Sequence, residues 1–512
     1  MAKSKIKAGT VEPAAEPVSS GVSAPDPVLW GGYRASWIAV FAGLSLLLIV
    51  LVWGPLSRIG VHYSIGYNEG NAAYFSRQAV TGPPLYAVPP KFVYIDYPPL
   101  SYHLVGLAGK VAGNYVAAGR WISVFAYLAI GVLAGLIVRV LSGYARAGVY
   151  AALCWGIWLA AFDPTRIGFN DPHLLAVAFG MAGLYCYVRG PESTRWLAAS
   201  AVLFAVGLFT KQSLIAFPGA VAIELFLTSR KRLGTWLGIA IGTCLVLLLL
   251  TLVVDGPHFF SYLFSPRTFA FGDFLNMFGL YAGMFQVVIA AALIWILRYS
   301  GAGRDRVLVW AAVLANVLGS VFVLGVGAGI NHFIDAMLSI LLILGSSVVL
   351  LAGFAAQTRW PRTTLAVLLG VVFFFGPIVN MPRRIMEAES NESQRAEREQ
   401  SFAAVVNFLK ARPGQALCEE PMFCFEAGKP KVYDAFNAGE VFKTGTLPES
   451  AVLDLLDGRA FGAIQLNWSP TDPIRPSKPR YSRFTDTFLR KLFATYRPSI
   501  QTPSALIFTP AR

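Results

Sequence analysis

Five short stretches carry side chains able to move a proton or hold an anion. In Tyr67-Asn68-Glu69-Gly70, Glu69 is placed either to take a proton from an acceptor hydroxyl or to face a helix dipole as an N-terminal acid. In Ile95-Asp96-Tyr97-Pro98-Pro99, Asp96 either orients a substrate or caps the helix that the prolines start. In Phe169-Asn170-Asp171-Pro172-His173, Asp171 is a good N-cap before a first-turn proline, and its carboxylate also faces the space of Glu69. Lys211 of Thr210-Lys211-Gln212 stands among apolar residues and needs an anionic partner, a lipid phosphate or an Asp. Ile330-Asn331-His332-Phe333-Ile334-Asp335 either binds a sugar or head group through Asn331 and His332, or is a plain polar boundary. No His/Cys set has metal-ligand spacing, and there is no Gly-rich nucleotide loop.

The elements holding these stretches must be membrane spans. Of 512 residues 55% are apolar and only 14% charged, against roughly 25% charged in a soluble domain, and mean hydropathy is +0.57. This composition excludes a disordered chain, a disulfide-framework toxin and a nucleic-acid binder. The net charge, 42 − 28 = +14, belongs to loops. A span takes about 20 apolar residues, and eleven candidates follow: 35–55, 117–138, 147–162, 172–188, 196–209, 213–228, 235–254, 277–297, 307–327, 333–353 and 363–380. With the N-terminus in the cytoplasm, the short cytoplasmic loops (139–146, 189–195, 229–232, 298–306, 354–362) hold twelve basic residues against Glu192 and Asp305. The short external loops hold only Arg166, Lys211 and Arg267. That is the positive-inside asymmetry. It puts Asn68, Glu69, Asp96, Asp171, Lys211 and all five His on the external side.

The expected organisation is a disordered cytoplasmic tail over 1–34, a transmembrane module over 35–380 with a large external loop at 56–116, and an external soluble α/β domain over 381–512. That domain shows helix-like stretches near 395–411 and 484–494 and strand-like runs at Lys431-Val432-Tyr433 and Ala505-Leu506-Ile507-Phe508. Cys154, Cys186 and Cys244 lie in apolar runs and read as core residues. Cys418 and Cys424 are six apart in a polar segment, and an extracytoplasmic location permits a disulfide between them. An external enzyme has no access to cytoplasmic nucleotide-sugars and must draw on a donor carried through the membrane.

The order of these motifs — acidic-Gly, Gly82-Pro83-Pro84-Leu85-Tyr86, Asp96-Tyr97-Pro98-Pro99-Leu100-Ser101-Tyr102, then Thr210-Lys211-Gln212 and a polar tail with Ala427-Gly428-Lys429 and Val432-Tyr433-Asp434 — resembles the GT-C membrane glycosyltransferases. The nearer likeness is to bacterial aminoarabinose and galacturonic acid transferases and protein O-mannosyltransferases. It covers about 35–512. The resemblance implies a multi-pass bacterial inner-membrane enzyme that moves a sugar, with inversion, from a polyprenyl-phosphate donor to an external glycolipid, polysaccharide or protein. Its first-loop motif commonly begins Asp-Glu; here it is Asn68-Glu69, so the usual base is an amide; either Glu69 takes the role, the reading favoured here, or Asp171 does, or activity is lost. The Lys that often follows the acid of the Pro-Pro motif is Tyr97, so phosphate binding leans on Lys211, with Arg77 or Arg120 in support. Asn68, Asp96, Tyr97, His173, Gln212, Asn331 and His332 are expected around the substrates. On this expectation Glu69→Gln abolishes transfer without harming the fold. The donor already carries a phosphate leaving group, so no cofactor is required in principle and a divalent metal is not indicated. The competing readings are a transporter or flippase of a lipid-linked glycan, which needs a polar track through the spans, and a glycan ligase or polymerase. Within the spans only Glu224 and Asn316 stand out, each isolated.

Overall fold

The computed structural model describes residues 34–299, 305–357, 362–467 and 483–511. The tail expected over 1–34 lies almost wholly outside them, as do parts of the loops 298–306 and 354–362. The chain opens with α1 (Arg34–Ser57), α2 (Asn68–Thr81), α3 (Leu100–Ala112), α4 (Tyr115–Ser142), α5 (Ala145–Phe162), α6 (Pro172–Arg189), α7 (Thr194–Thr210), α8 (Ala216–Thr228) and α9 (Arg230–Val254). It continues with α10 (Phe259–Leu263), α11 (Phe271–Tyr299), α12 (Arg306–Phe322), α13 (Ile334–Gln357) and α14 (Arg362–Ser393). Each of the eleven apolar segments falls on one of these helices, with α2, α3 and α10 as short additions between them. Among the described residues four helices, α1, α4, α5 and α9, are long and apolar enough to cross a membrane.

Local sequence sets the helix ends. Asn114 caps α4 by accepting the Ala117 N–H at 2.9 Å, and Asp171 caps α6 by accepting the His173 N–H at 2.8 Å with Pro172 in the first turn. Gly113 and Gly143 end α3 and α4 in the left-handed region, at φ 72° and 79°. Helices α4 to α8 and α11 to α13 bury one continuous apolar core, in which Trp158 stacks on Phe285 at 4.6 Å and Tyr281 on Phe333 at 4.3 Å. The two isolated polar residues are paired within this bundle. Glu224 holds Arg306 in a two-pronged ion pair at 2.7 and 2.8 Å, and Asn316 accepts the Tyr281 hydroxyl at 2.9 Å.

The polar tail folds as α15 (Arg395–Ala411), β1 (Gln415–Cys418), α16 (Pro421–Glu426), α17 (Ala435–Lys443), α18 (Ser450–Asp457), β2 (Phe461–Asn467), α19 (Asp486–Thr495), β3 (Tyr496–Gln501) and β4 (Ala505–Pro510). The sheet order is β1-β2-β4-β3, with β1 and β2 parallel and the other pairs antiparallel. Apolar clusters cover both faces of the sheet. Helix α14 runs unbroken through position 381 to Ser393, so the polar domain starts a turn or more beyond the composition shift. The expected strand at Lys431-Val432-Tyr433 is not one. It is an irregular segment at the seam between tail and helical module: Lys431 reaches Asn71, Tyr433 packs in the tail core, and the following Asp434 N–H donates to the Phe92 carbonyl at 2.7 Å. Cys418 and Cys424 form a disulfide with Cα atoms 5.9 Å apart.

Candidate active site

The loops between α1 and α4, α5 and α6, α7 and α8, α9 and α11, and α12 and α13 meet the polar tail at one end of the bundle. Their polar residues form a connected group there. Asp171 is its centre, with a side chain 3% exposed. Its Oδ1 serves as the α6 cap and lies 3.8 Å from Lys211 Nζ; its Oδ2 lies 3.9 Å from Arg166 Nη1 and has no hydrogen-bond partner. Burial by itself would raise this carboxyl. Lys211, Arg166, the His173 N–H and the Asn68 side chain outweigh it and hold Asp171 below the usual carboxylate range. Burial pulls the Lys211 ammonium in the opposite sense, and the attraction of Asp171 only partly offsets it. With Asp163, which pairs with Arg166 at 2.9 Å, two carboxylates face two cations at this point.

Arg166 is anchored from three sides. It donates to Asp163 Oδ2 at 2.9 Å and to Asn331 Oδ1 at 3.1 Å, and Asn331 Nδ2 in turn faces His173 Nδ1 at 3.4 Å. Lys211 Nζ lies 4.6 Å above the Tyr97 ring, a cation–π contact. Gln212 donates to the Asp96 carbonyl at 2.8 Å. Asp96 is not a helix cap: α3 begins beyond Pro99 with no side-chain cap, and the Asp96 carboxylate instead accepts from Arg267 at 2.6 Å and from Asn437 of the tail at 3.2 Å. Asn437 also donates to Asp434 Oδ2 at 3.0 Å, and Tyr67 donates to Asp434 Oδ1 at 3.0 Å. Two pockets flank the Asp171–Lys211 pair. One is lined by Asn68, Asn71, Asp96, Tyr97, Asn170 and Asp171 among others. The other, a narrow space, contains His173, Ser213, His332 and Asp335 between apolar residues of α8 and α12.

Glu69 requires a correction. It is fully buried in the first turn of α2, and both oxygens are taken: Oε1 accepts from Arg120 Nε at 2.9 Å and the Asn170 N–H at 3.1 Å, Oε2 from Arg120 Nη2 at 2.8 Å and the Ile65 N–H at 2.8 Å. A carboxylate so saturated has no oxygen to offer a substrate proton. It braces the segment that carries Asp171. Arg120, 1% exposed, spends its remaining donors on the carbonyls of Ile59, Val61 and Tyr63, which removes it from phosphate binding. Arg77 lies over the rings of Tyr74 and Phe425, at the seam with the tail. Gly70 permits that seam: a Cβ there would lie 2.4 Å from the Met422 backbone nitrogen. The acidic-Gly motif is thus architectural at both positions. Sequence reasoning gave no site role to Arg166, Arg267 or Asn437. A signal for the two arginines was present, since they and Lys211 are the only basic residues of the short loops at this end.

Comparison with known proteins agrees with this arrangement at the level of fold. The family model for dolichyl-phosphate-mannose-protein mannosyltransferases matches residues 96–254, which contain Asp96, Asp171 and Lys211. No curated protein matches the sequence significantly. The structure is similar to that of ArnT from Cupriavidus metallidurans bound to undecaprenyl phosphate, with a TM-score of 0.59 and 14% identity over 93% of this chain and 98% of that one. It is also similar to the oligosaccharyltransferase AglB from Archaeoglobus fulgidus in complex with an inhibitory peptide and a dolichol-phosphate, with a TM-score of 0.53 and 12% identity over 92% of this chain and 80% of that one. The fold is that of the GT-C membrane glycosyltransferases, as the motif order implied.

Proposed function

We propose that this protein is an integral membrane glycosyltransferase that moves a sugar from a polyprenyl-phosphate carrier to an acceptor hydroxyl outside the cytoplasm, with inversion. The N-terminus is cytoplasmic, eleven helices span the bilayer, and the tail domain lies outside. The observation that carries the reading is the free Oδ2 of a buried, ionised Asp171 held between Lys211 and Arg166.

The residues divide the work. Asp171 Oδ2 takes the acceptor proton as the acceptor oxygen attacks the anomeric carbon. The bond from that carbon to the phosphate oxygen breaks on the opposite face, and its electron pair leaves on the phosphate. Lys211 and Arg267, pre-positioned by Asp171 and Asp96, stabilise that developing charge, a form of catalysis that is usually the largest single contribution. Asn68, where the family commonly has an acid, supplies an amide beside Asp171 and supports its ionised form. Tyr97, Gln212, Asn331 and His173 shape the surroundings of the pair. The test is a lipid-linked sugar profile: cells lacking the gene are expected to accumulate a polyprenyl-phospho-sugar, which names the donor, and Asp171→Asn is expected to leave it uncleared. Loss of the gene with no change in any lipid-linked sugar would refute the reading.

A further inference from the structure

The polar tail sends one lysine to the wall of the pocket beside Asp171. The Lys431 side chain is 7% exposed, and its Nζ donates to Asn71 Oδ1 at 2.5 Å. An ammonium has three donors, and among the described residues this bond uses the one that is paired. The nearest carboxylate oxygen, Asp434 Oδ2, is 4.0 Å away. It already accepts from Asn437 Nδ2, while Asp434 Oδ1 accepts from Tyr67 and from the Asn437 N–H. The rings of Tyr74 and Phe75 flank the ammonium at 5.9 and 5.7 Å. Burial lowers its pKa, and Asp434, Asp96 and Glu420 oppose that shift.

Docking the tail does not require this arrangement. Tyr74 donates to the Lys429 carbonyl at 2.7 Å, Tyr67 reaches Asp434, and Gly70 packs on the start of α16. A buried charge is an expensive way to add one more contact to such a seam. What the lysine does uniquely is choose an orientation. Asn71 follows Asn68 by one turn of α2, and both line the pocket with Asp96 and Asp171. Its amide carries one accepting and one donating atom, and their order decides what the pocket meets. Lys431 can only donate, so it selects the oxygen and leaves Nδ2 directed away from itself. Nδ2 has no hydrogen bond among the described residues and is not one of the sealed, unpartnered atoms. With Asn71 only 7% exposed, the pocket is the space left to it.

We propose that Asn71 touches substrate, its Nδ2 donating to an acceptor oxygen beside the hydroxyl that Asp171 deprotonates, and that Lys431 is the positioning residue that holds the amide in this orientation. This deepens the transfer reading above and rests on it. The tail domain thereby takes part in aligning the acceptor, while the carrier phosphate is left to Lys211 and Arg267.

The test uses cells lacking the gene and complemented with the full-length chain, in which clearance of the accumulated polyprenyl-phospho-sugar is followed in time. Lys431→Met and Asn71→Ala should each slow clearance about tenfold, the rate equivalent of one lost hydrogen bond. Both act on one contact, so the double variant should be no slower than the worse single one. Asn71→Asp separates docking from orientation. Its carboxylate still pairs with Lys431, so the purified protein should melt no lower than the parent. It has no amide N–H, so it should clear as slowly as Asn71→Ala. Undecaprenyl phosphate should bind purified Asn71→Ala as it binds the parent. Should Lys431→Met fail to fold, Asn71→Asp decides alone. Parent-level clearance by Asn71→Asp, or a double variant slowed by the product of the two single effects, would reduce Lys431 to a seam contact and overturn the assignment with the transfer reading intact. A parent chain that clears no lipid-linked sugar would overturn both.

Discussion

Lys211 and Asp171 face each other at 3.8 Å, both sealed from solvent, and Arg166 closes on the second Asp171 oxygen at 3.9 Å. One carboxylate between two cations is ionised across the physiological range and keeps an unused lone pair. Asp171→Asn should therefore lower transfer by about 10²–10⁴-fold, the usual range for a general base, without weakening carrier binding, since it removes a negative charge beside the phosphate. Lys211→Met should weaken binding of the phosphate carrier. The check is single-turnover transfer together with carrier affinity, and near-normal turnover in Asp171→Asn would refute the assignment.

Glu69 and Arg120 make the opposite case, a charged pair whose every contact is internal. Glu69→Ala strands a buried guanidinium and should cost about 3–5 kcal/mol, read as a fall in the melting temperature of the purified protein. Combining Glu69→Gln with Arg120→Met should recover part of the loss, because the unpaired charge is gone. Molecules of Glu69→Gln that remain folded should still turn over; a folded, inert Glu69→Gln protein would restore Glu69 as the base.

Gly70 lies where α2 meets the start of α16. A Cβ at this position would lie 2.8 Å from the Pro421 carbonyl carbon as well as 2.4 Å from the Met422 nitrogen, and both neighbours are backbone, which yields least. Gly70→Ala should loosen the tail domain from the bundle, with a cost of about 1–3 kcal/mol. Limited proteolysis should then cleave between α14 and α15 faster than in the parent. Unchanged cleavage would show that the seam relaxes freely.

Glu420, at the same seam, gives a pH signature. The residue is half-buried as a whole, but Oε1 is closed off and unpartnered. Burial lifts its carboxyl from 4.5 to about 8, against the pull of Arg483. The folded state therefore binds more protons than the unfolded one between those values. Stability should fall as pH rises through this window and level off above it. Glu420→Gln should flatten the dependence, measured as melting temperature from pH 5 to 9. A parent protein that grows more stable over that range would contradict this.

The sequence revealed the helical architecture well because apolar runs and helix caps are local signals. Asp171-Pro172 marked the start of α6, and each apolar segment falls on a helix. Pairings across distant loops left no such signal. Glu69 looked available because nothing near it in sequence is basic, whereas its partner Arg120 lies fifty-one positions away on α4. Asp96 looked like a cap because two prolines follow it, whereas Arg267 and Asn437 hold it. Lys431-Val432-Tyr433 has strand propensity, but docking on the helical module outweighs it. The scarcity of Arg166, Lys211 and Arg267 among short loops at that end was the one long-range clue, since each ends beside a site carboxylate.

Asn437 bonds Asp96 and Asp434 at once, while Tyr67 reaches Asp434 from the first loop and Glu440 accepts from the Thr268 N–H at 2.9 Å. The polar tail domain therefore braces the loops that line the pocket beside Asp171 and is not an appendage to them. Cutting it away would not yield a smaller catalyst, because Asp96 and Arg267 would lose their far-side grip. A load placed on this domain is carried by the same hydrogen bonds that hold Asp96 and, through it, Arg267.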